Sequence, residues 1–105
     1  MLPHNKKGLY ALIADGDSMN KAEIEGKTIE SGDFVLVDHE CRNPQNNDIV
    51  VAVINGMATI KRFRKDERNQ RVVLEADSTN TYLPIYIHED DDFQISGKVV
   101  GIIKR

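Results

Sequence analysis

Two short stretches of the sequence contain residues that together can perform nucleophilic catalysis. Gly16-Asp17-Ser18-Met19 places a serine directly after an apolar run, and Thr59-Ile60-Lys61 places a lysine within a strand-like run. A serine hydroxyl is a poor nucleophile until a base removes its proton. A lysine can be that base when burial in apolar surroundings lowers its pKa and leaves the amine neutral. These residue types predict a Ser18–Lys61 dyad, which needs no histidine or aspartate.

Neighbouring residues can support such a dyad. Alternate residues of a strand share a face, so Thr59 and Phe63 are the expected neighbours of Lys61, and the Thr59 hydroxyl can hold its amine. The backbone N–H groups of Ser18 and Asp17 are the candidates for an oxyanion hole, because a tight turn can direct both towards one point. Met19, next to the nucleophile, is interpreted as a supporting residue that packs rather than reacts.

Both dyad residues also have an ordinary interpretation. A serine after a turn commonly caps a helix, and residues 18–24 are the only stretch that favours a short helix. An isolated lysine on a strand is usually solvated. The catalytic interpretation therefore depends on Ser18 and Lys61 occurring together in one ordered pattern.

The elements that must position these residues are short strands. Apolar runs broken by turn residues predict strands over residues 9–14, 34–37, 48–54, 58–64, 71–76, 82–87, 93–95 and 98–104. The run 48–54 is apolar on both faces, which indicates a central strand. Asn55-Gly56 predicts a tight hairpin, and Pro84 places its strand at an edge. The fold class is mainly β, a curled or barrel-like sheet built from hairpins with at most one short helix.

Length and composition narrow the class of protein. The 105 residues suffice for one domain, 1–105, in which residues 1–8 are expected to be a flexible lead-in. The net charge of −3 is not that of a protein that binds nucleic acid through bulk electrostatics. Cys41 is the single cysteine, which excludes an intrachain disulfide and favours a reducing compartment. The apolar run 9–14 is too short to span a membrane, so a cytoplasmic location is expected.

Other charged stretches do not predict a site. The basic run 61–68 and the acidic loop 89–92 are interpreted as solvated, because the first is interrupted by acidic residues and the second lacks further ligands. His39 and Cys41 flank Glu40 near a turn, but a metal centre needs more ligands at close spacing. We therefore expect no metal and no cofactor.

The order of motifs along the chain resembles one family. Gly-Asp-Ser-Met is followed by a Gly-Asp strand, an Asn-Asp-Ile-Val-Val strand, a Lys-Arg strand, an Asn-x-x-x-Pro segment and a Gly-x-Val-Val ending. These stretches lie at residues 16–19, 32–37, 47–52, 59–62, 80–85 and 97–101. The pattern is similar to the LexA/UmuD-like serine peptidases, which include self-cleaving phage repressors. The segment between Met19 and Gly32 is several residues longer than the family usually has.

This resemblance implies a function and partners. Family members cut their own chain at an upstream Ala-Gly or Cys-Gly bond, which this sequence lacks. The resemblance implies a fold like the LexA C-terminal domain, Ser18 and Lys61 as catalytic residues, and a homodimer. It also implies stimulation by a RecA filament in the DNA-damage (SOS) response. DNA would be bound only through an N-terminal helix-turn-helix domain that is absent from this sequence.

Two other functions remain open at this point. The chain can be a non-catalytic dimerisation module of a repressor, or a UmuD-like accessory subunit of an error-prone DNA polymerase. For the dimer, we expect the apolar run 98–104 to lie at the interface and Ile102 to be part of it. The alternative is that this strand is central and covered on both sides within one subunit.

Overall fold

The fold is built from short antiparallel strands. The computed structural model describes residues 8–105, and this part of the chain contains strands and turns but no helix. The strands are β1 (Leu9–Ile13), β2 (Glu23–Ile24), β3 (Lys27–Thr28), β4 (Phe34–Asp38), β5 (Ile49–Ile54), β6 (Met57–Asp66), β7 (Arg71–Glu75), β8 (Ile85–Ile87) and β9 (Phe93–Ile103). The predicted mainly β fold is confirmed. A helix capable of crossing a membrane does not occur within residues 8–105.

One large sheet organises the chain. Seven strands pair in the order β1-β4-β9-β5-β6-β7-β8, while β2 and β3 form a separate hairpin. The large sheet is open, with β1 and β8 at its two edges, so its described strands do not close into a barrel. The predicted lead-in at residues 1–8 falls almost entirely outside the described residues.

Strand β5 is central, as its apolar run predicts. Val51 belongs to one cluster of buried apolar side chains, and its neighbours Val50 and Ala52 belong to a second cluster. Successive residues of a strand point to opposite faces of the sheet, so the two clusters cover both faces of β5. Burial on both faces explains why this strand has no polar side chain.

The Asn-Gly turn fixes the position of Lys61. Asn55 and Gly56 have φ angles of 51° and 81°, the positive values that a tight two-residue hairpin turn requires. The turn aligns β6 with β5 so that Lys61 lies opposite Val50. The predicted hairpin turn therefore determines which residue of β6 lies opposite Val50 of the central strand β5.

Residues 18–24, the stretch that favoured a short helix, do not form one. Residues 18–21 form turns, and the chain then enters the β2–β3 hairpin, in which Glu23 pairs with Thr28. Glu25 and Gly26 have φ angles of 52° and 80°, which is incompatible with a continuing helix. Ala22, just before the hairpin, and Ile29, just after it, are buried in the first core cluster.

Pro84 marks an edge strand, as expected. Strand β8 starts one residue after Pro84 and pairs only with β7 among the described strands. The strand is shorter than the predicted 82–87, because Tyr82 contacts Asp17 instead of continuing the ladder.

The last strand differs most from the prediction. The predicted strands 93–95 and 98–104 are one eleven-residue strand, β9, which lies between β4 and β5. Gly97 allows this continuity, because a Cβ at this position would lie 2.6 Å from the Asp38 carbonyl oxygen. The expectation that Ile102 lies at an exposed interface is wrong, since Ile102 is buried in the core.

Candidate active site

The structure brings Ser18 and Lys61 together. Ser18 lies in the turn that follows β1, and Lys61 lies in the middle of β6. The Lys61 Nζ donates a hydrogen bond to the Ser18 Oγ over 3.0 Å, although 43 residues separate them in sequence. The predicted proximity of the two side chains is therefore confirmed. A separation of this length allows a proton to pass directly between the two groups.

Burial and hydrogen-bond acceptors act in opposite directions on the protonation of Lys61. Its Nζ also donates to the Thr59 Oγ1 over 2.8 Å and to the Ile60 carbonyl over 3.2 Å. Burial lowers the pKa of Lys61 below its ordinary value, because desolvation disfavours the ammonium. Among residues 8–105 no carboxylate forms an ion pair with Lys61 that would oppose this shift.

A cleft of about 260 Å³ contains the pair. One wall is formed by the end of β1 and the residues after it, including Leu12 and Ala14. The other wall is the first half of β6, from Ala58 to Lys61. Met19, which is 4% exposed, belongs to the first core cluster and lines the same cleft, which fits its interpretation as a packing residue.

Both walls are strand edges. β1 is an outer strand of the sheet, and β7 pairs with β6 only from Arg62 to Asp66. The stretch of β6 before Arg62 therefore has one side without a strand partner in the described part of the chain. Backbone N–H and C=O groups on such edges can bind an extended peptide by adding a strand.

The turn that carries Ser18 is held by its neighbours. The Asp17 carbonyl accepts from the Asn20 N–H over 3.3 Å, and the Asp17 carboxylate accepts from Tyr82 and Asn80. The hydrogen bond from Tyr82 is the main reason that the pKa of Asp17 is below its usual range, with smaller contributions from Asn80 and the residue's own N–H.

Sequence reasoning missed the residues that hold this turn. Residues 77–82 lie beside it, and the only signal for them was the Asn-x-x-x-Pro part of the ordered pattern. Phe63, the other predicted neighbour of Lys61, is buried in the second core cluster. His39 and Cys41 do not join a metal site, because no group of three or more possible metal ligands exists within residues 8–105.

Comparison with known proteins identifies the family. A family model described as peptidase S24-like matches residues 1–100. The chain belongs to the peptidase S24-like family. This membership confirms the resemblance to LexA/UmuD-like peptidases that the ordered motifs indicated.

The curated relatives of this S24-like chain include several repressors. It is 38% identical to the LexA repressor of Magnetococcus marinus, over 89% of this chain and 36% of the relative. It is 38% identical to the LexA repressor of Carboxydothermus hydrogenoformans, over 95% of this chain and 45% of the relative. It is 35% identical to the LexA repressor of Clostridium novyi, over 99% of this chain and 46% of the relative. The S24-like chain thus spans less than half the length of these relatives.

Proposed function

We propose that this chain is a serine peptidase domain in which Ser18 is the nucleophile and Lys61 is the general base. The observation that carries this proposal is the 3.0 Å contact between the Lys61 Nζ and the Ser18 Oγ. It lies in a cleft where burial lowers the pKa of the lysine. Membership of the peptidase S24-like family supports the same conclusion.

The reaction follows from this geometry. The neutral Lys61 amine takes the proton of the Ser18 hydroxyl while the Oγ attacks the substrate carbonyl carbon. The oxyanion of the tetrahedral intermediate accepts a hydrogen bond from the Ser18 N–H, with the Asp17 N–H as the second candidate donor. The Lys61 ammonium then protonates the leaving amine, and a water activated by Lys61 hydrolyses the acyl-enzyme. Thr59 and Ile60 hold the amine in place throughout.

The proposed substrate is an extended peptide segment. The two strand edges of the cleft favour a chain that adds a strand beside β1 or the first half of β6. By its similarity to LexA repressors, we propose that this segment comes from the protein's own chain, or from an identical partner, N-terminal to the domain. Cleavage would then separate this domain from whatever precedes it.

The proposed setting is transcriptional repression that DNA damage relieves. The relatives are LexA repressors, so we propose that the complete protein binds DNA through a helix-turn-helix domain preceding this one. A RecA filament is the proposed stimulus of self-cleavage in the SOS response. A repressor acts on DNA, so the proposed location is the cytoplasm.

We also propose a homodimer, through the outer face of β1, β4 and β9. Ile13 pairs with Phe34, and Phe34 pairs with Ile103, so the three apolar side chains form a row across adjacent strands. They are 62%, 41% and 46% exposed. A second copy of the same face would cover this row with a symmetric interface. This observation also supports the second candidate function, a non-catalytic dimerisation module.

Replacement of the dyad tests the peptidase proposal. In the full-length gene product that includes this chain, Ser18→Ala and Lys61→Ala should each abolish self-cleavage, because neither residue can act without the other. Lys65→Ala is the matched control, since Lys65 is an exposed lysine on the same strand. Cleavage is followed by gel electrophoresis, and thermal unfolding shows that each variant is folded. Undiminished cleavage in a folded Ser18→Ala variant would assign the chemistry elsewhere.

A further inference from the structure

A loop distant in sequence holds the turn that carries the serine. We call residues 16–21 the serine turn and residues 77–82, between β7 and β8, the supporting segment. The Asp77 N–H donates to the Ser18 carbonyl over 2.8 Å, and the Lys21 N–H donates to the Asp77 carbonyl over 2.9 Å. Asp77 therefore pairs with the serine turn on both sides of Met19.

Side chains extend this contact on both sides of the serine. The Ser78 hydroxyl donates to the Asp17 carbonyl over 2.7 Å. Asn20 and Thr79 exchange two hydrogen bonds of 2.9 and 3.0 Å. The serine turn belongs to no strand, so these bonds replace the ladder that would otherwise fix it.

One ion pair connects the supporting segment to the strand of the lysine. The Asp77 carboxylate accepts from the Arg62 Nε and Nη2, both over 3.0 Å, and the Arg62 Nη1 donates to the Asn47 carbonyl over 2.7 Å. Arg62 directly follows Lys61 in β6. The two side chains of the pair are 30% and 29% exposed. All three nitrogens of the planar guanidinium contact an oxygen here, and the single nitrogen of a lysine ammonium cannot make the same set of contacts.

We propose that Arg62 and Asp77 are positioning residues that set the separation between the serine turn and Lys61. The inference rests on the proposed peptidase function. Asp77 fixes the backbone at the nucleophile and just after it, and Arg62 fixes Asp77 to the strand of the base. A reacting group displaced by about 1 Å can lose about 100-fold in rate, so a link of this kind affects chemistry without touching substrate.

Cleavage rates test the proposal against a neighbouring ion pair. Arg62→Met and Asp77→Asn should each slow self-cleavage of the full-length protein by about tenfold or more, with the fold retained. Arg64→Met is the control, because Arg64 lies on the same strand as Arg62 and forms an ion pair with Glu75 of β7 over 3.1 Å. That variant should cleave within about twofold of the unmodified protein, since surface ion pairs contribute little to stability. If Arg62→Met does not fold, Arg62→Lys replaces it, because it keeps the charge and loses the planar contact.

Titration of Lys61 separates positioning from simple electrostatics. The pKa of Lys61 is measured by NMR in protein labelled at lysine Cε, which needs no cleavage. Loosening the serine turn admits water to the ammonium, so both Arg62→Met and Asp77→Asn should raise this pKa. A purely Coulombic effect would raise it in Arg62→Met and lower it in Asp77→Asn. Shifts in opposite directions, or cleavage at the unmodified rate in both folded variants, would overturn the proposal.

Failure of the peptidase function has a different signature. It would appear as cleavage that Ser18→Ala does not diminish, or as no cleavage by the unmodified protein. In both cases the comparison of Lys61 pKa values still decides whether Arg62 and Asp77 position the serine turn.

Discussion

At the scale of single residues, burial lowers the pKa of Lys61, because it makes the ammonium form costly in the folded protein. The three acceptors around the Nζ, from Ser18, Thr59 and Ile60, offset part of that cost. A lysine with a lowered pKa is better suited to accept a proton than a solvated lysine.

The pH dependence of cleavage should follow the titration of Lys61. Since the base acts as the neutral amine, the rate should rise with pH and level off above the pKa of Lys61. Because desolvation lowers that pKa, the midpoint should lie below about 10.4, the ordinary value for lysine. First-order cleavage rates measured between neutral and alkaline pH give the midpoint. A rate that falls steadily over this range in folded protein would contradict a lysine base.

Removal of the Thr59 hydroxyl should slow cleavage without unfolding the protein. Thr59→Val keeps the branched shape and deletes the oxygen 2.8 Å from the Lys61 Nζ. Lys61 becomes an ammonium as it takes the proton, and a hydrogen bond to a charged group contributes about 1.5–3 kcal/mol, so we expect a fall in rate of about tenfold or more. The expected change is in the rate constant of the cleavage step. A Thr59→Val protein with the unmodified rate would show that Lys61 does not need this contact.

At the scale of elements, the end of β9 is linked to the turn before β4. Asp33, which is only 3% exposed, accepts hydrogen bonds from the Glu30 N–H over 2.8 Å and from the Arg105 N–H over 3.1 Å, and it pairs with Lys104. The Asp33 carbonyl also accepts from the N–H of Ala14, just before the serine turn, over 2.8 Å. Through its carboxylate and its carbonyl, Asp33 thus links the segment before β4, the residues after β9 and the residue after β1.

Asp33 should make the stability of the protein depend on acidic pH. The hydrogen bond from Lys104 is the main cause that lowers the pKa of Asp33 to about 2, from an unfolded value near 3.8. A lowered carboxyl pKa stabilises the fold above pH 3.8, and this stabilisation is lost as the pH falls towards 2. Asp33→Asn should therefore lower the thermal unfolding temperature at neutral pH. It should also weaken the dependence of that temperature on pH between pH 5 and 2. If the unfolding temperatures of the unmodified protein and of Asp33→Asn fall equally as the pH is lowered, the acid dependence comes from other carboxylates.

At the scale of the whole molecule, the sheet has a covered face and a partly uncovered one at β1, β4 and β9. Val35 and Val37 point into the core, while the adjacent Phe34 is 41% exposed. Ile13 and Ile103 continue this exposed apolar row on either side of Phe34. Clustered apolar side chains on an outer face are typical of an interaction surface.

The dimer prediction separates two adjacent isoleucines. Ile103→Asp should shift the protein towards monomer and leave the fold intact, because Ile103 is 46% exposed. Ile102→Asp should unfold the domain, because it would bury a charge in the core. Sedimentation velocity at micromolar concentration gives the oligomeric state, and circular dichroism gives the fold. A dimer that persists in folded Ile103→Asp would place the interface on another surface.

The sequence by itself determined most of the strands, one key turn and the two residues of the candidate dyad. Asn55-Gly56 can form the positive-φ turn wherever it occurs, and the run before it is apolar enough to be central in any sheet. Ser18 and Lys61 were found because their types and order recur in a known pattern. Such features depend on local conformation or on residue chemistry, which a sequence states directly.

Only the tertiary structure decided which face of β9 is buried and what holds the serine turn. Val100 is an extra residue at a bulge opposite Leu36 and Val37, so Val99 and Ile102 are both buried although they are three residues apart. A bulge changes the alternation of faces, and the apolar run itself does not show where it occurs. The contacts of Asp77 with the serine turn join residues about sixty positions apart in sequence. Hydrogen bonds of this range arise from the path of the folded chain, which local residue patterns do not specify.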